Sequence, residues 1–100
     1  MPDRLVKRRG SQQVNALVSD PRAVFAASDD GVLSFQLSPC EGGILVTRTE
    51  VRTRAAKLVQ STRFADEFSF LRWCEADRMK FSYPLLYANL KRSGCGLFIA

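Results

Sequence analysis

Any chemistry in this 100-residue chain has to be done without histidine. That removes the most frequent general base, the commonest metal ligand and every Ser-His or Cys-His nucleophile arrangement. Zinc would need cysteines or carboxylates alone, and Cys40, Cys74 and Cys95 lack the paired spacing of structural zinc sites. Three widely separated cysteines are not a disulfide framework either; reduced thiols in a cytoplasmic protein are the plain reading. Cys95 lies between glycines, near Lys91 and Arg92, and nearby cations lower a thiol pKa. Cysteine's preference for the interior nevertheless favours an inert core residue there.

The carboxylates Asp66, Glu67, Glu75 and Asp77 offer pairs for acid–base work. Arg72–Glu75 and Glu75–Arg78 are i, i+3 neighbours on one predicted helix, so solvated salt bridges account for them better. The glycine segments Glu41-Gly42-Gly43 and Ser93-Gly94-Cys95-Gly96 fit neither a phosphate loop nor a dinucleotide fingerprint. The residues point away from an enzyme and call for no cofactor and no metal.

Basic side chains are what remains for a surface role. The formal net charge is +5, and it is unevenly spread. Residues 1–10 carry four bases and one acid, residues 11–43 one base and four acids, and residues 44–63 five bases and one acid. Within the last segment, Arg48, Arg52, Arg54, Lys57 and Arg63 face a single acid, Glu50. On a strand, side chains alternate between faces. Arg48, Glu50, Arg52 and Arg54 then share one face as a basic stripe, with Thr47, Thr49, Val51 and Thr53 on the other. Secondary candidates are the N-terminal Arg4, Lys7, Arg8 and Arg9, and Trp73.

The elements that must position these groups follow from punctuation and period. Residues 1–10 read as a flexible basic tail, and 11–100 as a single domain. Ser11–Val18 has the pattern of a short helix stopped by Asp20-Pro21. Ala23–Ala27, Val32–Leu37 and Ile44–Thr53 read as antiparallel strands, with a turn at Asp29-Asp30-Gly31 and another in Ser38–Gly43. Ala55–Thr62 fits either a fourth strand or the opening of a helix. Phe64–Lys80 reads as a helix capped by Thr62, with an apolar stripe of Phe64, Phe68 and Leu71 broadened by Phe70 and Cys74. Trp73 lies nearly opposite that stripe, with coverage by the second helix favoured over an interface position. Tyr83–Arg92 reads as that second helix, with Gly94 as its stop and Cys95–Ile99 available for a last strand.

The fold class expected is α+β: a small antiparallel sheet of three to four strands followed by two C-terminal helices on one face. No apolar run is long enough to span a bilayer, and no secretory signal is visible, so a cytoplasmic protein without a membrane partner is expected. The function expected is a small non-enzymatic binding or adaptor module acting through protein–protein contacts, a second copy of itself included. The alternative is nucleic-acid binding by the basic sheet face and basic tail. The stripe has no interleaved aromatics, which suits phosphates or carboxylates better than stacked bases.

Overall fold

The computed structural model describes residues 22–99. The tail at 1–10, with Arg4, Lys7, Arg8 and Arg9, and the helix expected over Ser11–Val18 lie outside them. Four strands, β1 (Val24–Ala27), β2 (Leu33–Cys40), β3 (Gly43–Thr53) and β4 (Ala56–Phe64), pair in sequence order as one antiparallel sheet. Two helices follow, α1 (Glu67–Ala76) and α2 (Pro84–Ile99), with a 3-10 turn at Arg78–Phe81 between them. This is the expected α+β architecture with four strands, and no helix among the described residues is long and apolar enough to cross a membrane.

Alternation decides which sheet face is buried. Leu33, Phe35 and Leu37 of β2 and Ile44 and Val46 of β3 all point to the helix side and are essentially inaccessible. The helices meet them with Phe70 and Cys74 of α1 and Leu86, Tyr87 and Leu90 of α2. Phe35 packs edge-on against both Trp73 and Tyr87.

Several boundaries differ from expectation, each for a local reason. β2 runs through Pro39 to Cys40, so the turn narrows to Glu41-Gly42. The closing pair Cys40–Gly43 of this two-residue hairpin leaves Pro39 at a pair whose backbone faces away from β3, where β1 has already ended. Gly43 is forced by contact: a Cβ there would sit 1.9 Å from the Phe64 carbonyl oxygen. Residues 56–64 are strand, and Phe64 closes it as a core residue. The helix therefore starts later, capped by Asp66, whose carboxylate accepts from the Ser69 N–H at 2.7 Å.

That shift changes the buried face of α1. Phe70 and Cys74 are buried, whereas Phe68 is 68% exposed. Trp73 is covered mainly by the sheet rather than by the second helix, packing on Phe35 and Phe64. Glu75 pairs with Lys80 and Lys91 instead of Arg72 and Arg78. Gly94 does not stop α2, which continues to Ile99 and takes in the segment expected as a final strand. Its role is a notch: a Cβ would lie 2.3 Å from the Phe70 ring, so the missing side chain lets the helices close together.

Candidate functional site: a strand edge beside a groove

The basic residues of the sequence separate into two groups. Arg48 belongs to the first, and it is only 7% exposed. It continues the inward row of Ile44 and Val46, so the face that reads as an outer stripe is the face the helices cover. Its guanidinium donates through Nε to Asp77 Oδ2 at 2.9 Å and through Nη1 to Glu50 Oε1 at 3.0 Å. Glu50 is shared with Arg52, whose Nε lies 3.1 Å from Oε2. Tyr87 donates its hydroxyl to Asp77 Oδ2 at 2.6 Å, and the Met79 N–H donates to Oδ1 at 3.0 Å.

Two cations and two carboxylates make this network neutral, and it ties β3 to the end of α1 and to the first turn of α2. A buried charge needs such partners. Burial alone would raise the Asp77 pKa, but the hydrogen bonds from Tyr87, Met79 and Arg48 outweigh it and hold the carboxylate below its ordinary range. Burial and the Asp77 bond push the Tyr87 phenol upward. Asp77 escapes recognition from sequence because it reads as one more acid on a helix surface. The parity of Ile44, Val46 and Arg48 is the signal that carries the burial of Arg48.

Arg52, Arg54, Lys57 and Arg63 form the second group, and all four are exposed. They border β4, the strand at the end of the sheet. Lys57 and Arg63 share the outer side of β4 with Val59 and Ser61, since Val51, Thr49, Thr47 and Leu45 are their respective partners. Arg63 also donates Nη1 to the Glu41 carbonyl at 2.9 Å, which steadies it at one end of the strand.

Backbone parity fixes which groups of β4 face outward. The Val51 N–H donates to the Val32 carbonyl at 2.8 Å, so odd residues of β3 bond to β2 and even ones to β4. Leu58, Gln60, Thr62 and Phe64, opposite Glu50, Arg48, Val46 and Ile44, therefore hold the β3 ladder. Val59, Ser61 and Arg63 turn their N–H and C=O groups away from it. The close side-chain contact of Thr47 Oγ1 and Ser61 Oγ, 3.0 Å, is what a non-hydrogen-bonded pair produces. Among the described residues no strand lies beyond β4.

A groove of about 320 Å³ opens between the helix side of β4 and α1. Leu58 and Gln60 form its sheet wall, Trp73 and Ala76 its helix wall, and the neutral network of Arg48, Arg52, Glu50 and Asp77 its floor. The exposed apolar groups at this edge are Leu58 and Val59, at 37% and 58%.

Two of the three thiols, Cys74 and Cys95, are held in the protonated form. Burial raises the Cys74 thiol to about 12. Cys95 rises to about 11 through burial and the adjacent Glu67 carboxylate, against the lowering expected from Lys91 and Arg92. Among the described residues no three Cys, Asp or Glu side chains group as metal ligands. No protein-family model, curated protein or solved structure matches the chain.

Proposed function

We propose that this chain is a non-enzymatic binding module that acts through protein–protein contacts and takes an extended segment of its partner as a fifth strand along β4. The observation that carries this reading is a nine-residue edge strand, exposed from Ala56 to Ser61, whose outward backbone groups sit beside a groove. Strand addition of this kind draws affinity from main-chain hydrogen bonds and specificity from pockets for alternate side chains. Val59, Ser61 and Arg63 supply the first; the wall of Leu58, Trp73 and Ala76 supplies the second. The nucleic-acid alternative has fewer cations to draw on, because Arg48 is buried and it shares Glu50 with Arg52.

Heptapeptides selected from a displayed random library on the wild-type chain test the reading. Bound peptides should protect the Val59, Ser61 and Arg63 amides from exchange, and Val59→Pro should abolish binding because it removes an outward N–H. Protection confined to other elements would overturn the proposal, as would salt-sensitive nucleic-acid binding with no peptide selected.

A further inference from the structure

We infer that the segment docking on β4 is an acidic one, with carboxylates at both ends of a seven-residue strand and apolar side chains facing the helices between them. This rests on strand addition at β4 as proposed above, and it follows from where the cations lie along that edge.

Ala56–Phe64 contains Lys57 and Arg63 and no acid. Both cations are on the outer side of the sheet, and six residues of strand separate them by roughly 20 Å. On the turn side, Arg54 adds a further cation, while the nearest acid, Glu50, is already bonded to Arg48 and Arg52. A strand laid along this edge places one residue directly opposite each residue of β4. Directly opposed residues on one face interact, favourably if their charges differ and unfavourably if they match. Positions one and seven of the incoming strand fall opposite Arg63 and Lys57, where a carboxylate fits and a cation is repelled.

Positions two, four and six fall opposite Thr62, Gln60 and Leu58. They extend the sheet wall of the groove toward Trp73 and Ala76. The groove floor is charge-neutral, because Arg48 and Arg52 are answered by Glu50 and Asp77. It therefore calls for apolar rather than charged groups at these positions. The specification is symmetric end to end, so it holds for either strand direction.

A second copy of the chain fits this edge poorly. Antiparallel self-pairing centred on Gln60 sets Lys57 opposite Arg63 twice over. Other registers still line up both copies' cations along one ribbon. Charged edges of this kind are a common guard against self-pairing.

The test uses three capped synthetic peptides: Glu-Val-Thr-Leu-Thr-Val-Glu and the same sequence with Gln, or with Lys, at both ends. Binding to the full chain is read by fluorescence anisotropy, and the docking position by amide exchange. The Glu-ended peptide should bind about two- to thirtyfold more tightly than the Gln-ended one at low salt, the range for two exposed ion pairs. Raised salt should narrow the gap. Lys57→Glu/Arg63→Glu should invert the order, so that the Lys-ended peptide binds best; this gain also shows that the variant is folded. Equal binding by all three peptides, with Val59, Ser61 and Arg63 protected, would overturn the acidic specification and leave strand addition standing. Binding by none would overturn both. Protection of those amides without peptide, in a species sedimenting as a dimer, would assign the edge to a second copy.

Discussion

At one margin of the sheet, β1 runs for four residues beneath α2, and the turn after it is tied down where Tyr83 donates its hydroxyl to Asp30 at 2.8 Å. At the other, β4 runs for nine residues and meets α1 through Phe64, leaving most of its length exposed. An unpaired strand edge is a template for further pairing, and proteins blunt it by shortness, cover or charge. β1 is short and has α2 across its helix-side face, while Phe25 on the other face stays 58% exposed. β4 is not short, and among the described residues nothing covers it beyond Phe64; the charges along it are Lys57 and Arg63. Charge differs from cover in one respect: it repels a like edge and admits an opposite one. Among the described residues the two margins thus differ in kind: one is short and backed by α2, and the other is long and marked by charge.

The largest effect should come from releasing the helical layer that makes the margins differ. Asp77→Ala takes from buried Arg48 one of its two carboxylate partners and from Tyr87 its acceptor; with Glu50 still bonded to Arg48, the cost should be about 2–4 kcal/mol. Urea unfolding should show a midpoint shift of that order. The Asp77→Ala/Arg48→Met double variant should recover most of it, since an apolar replacement carries no stranded charge. If the double variant is as unstable as the single one, the network is not what holds α1 to the sheet.

Next in size is a pair of proline substitutions one residue apart. Gln60→Pro removes an N–H that bonds to β3 and should cost about 1–3 kcal/mol, through the lost bond and an unpaired carbonyl. Val59→Pro removes an N–H that points outward and should cost under about 1 kcal/mol, because the ladder to β3 survives. A larger loss for Val59→Pro than for Gln60→Pro would mean that the backbone parity of β4 is the reverse of that set by Val51 and Val32. The order also bears on function, since only the milder substitution blocks a fifth strand in a chain that remains folded.

A smaller effect is expected from pH. Asp77 is held below its ordinary range in the folded chain, so its contribution is fully present above the unfolded value near 3.8 and is lost as pH falls through the folded value. Tyr87 is raised, so its contribution is present below about 10 and is lost as pH rises through the higher folded value. Stability measured by denaturant at a series of pH values should fall at both extremes in the wild type. The Asp77→Asn variant should lose the acid arm. An unchanged acid arm would place its origin in the exposed carboxylates instead.

The strands were largely legible because period-2 alternation and turn residues are local: Leu33, Phe35 and Leu37 with Asp30-Gly31 before them suffice to predict a half-buried strand after a turn. The helix register was not. Phe64 fits the i, i+4 pattern with Phe68, but its place at the end of β4 depends on pairing with Ile44, a contact across the hairpin. Gly94 shows the same limit, since a helix stop and a packing notch look identical until Phe70 is known to lie opposite. For the candidate site, the sequence names the basic residues and leaves open which of them reach solvent. Arg48 and Lys57 are both cations on strands; what sets Arg48 apart is the helical layer that covers it and brings Asp77, distant in sequence and held by Tyr87, to join Glu50 as its partner.

The smallest change is expected from Tyr83→Phe, and it isolates the closed margin. The substitution removes one exposed hydrogen bond between the residue that leads into α2 and the β1–β2 turn, and leaves the Tyr83 ring in place. Asp30 keeps its bonds from the Ser28 hydroxyl at 2.7 Å and the Val32 N–H at 3.0 Å, so the turn itself should persist. What weakens is the link that holds the turn to α2. Amide exchange should therefore quicken modestly in β1 and around Ser28, with β4 unchanged. If exchange rises equally along both margins, Tyr83 acts on global stability and the cover over β1 is not a local device. If it rises at β4 alone, the assignment of β1 as the protected edge fails.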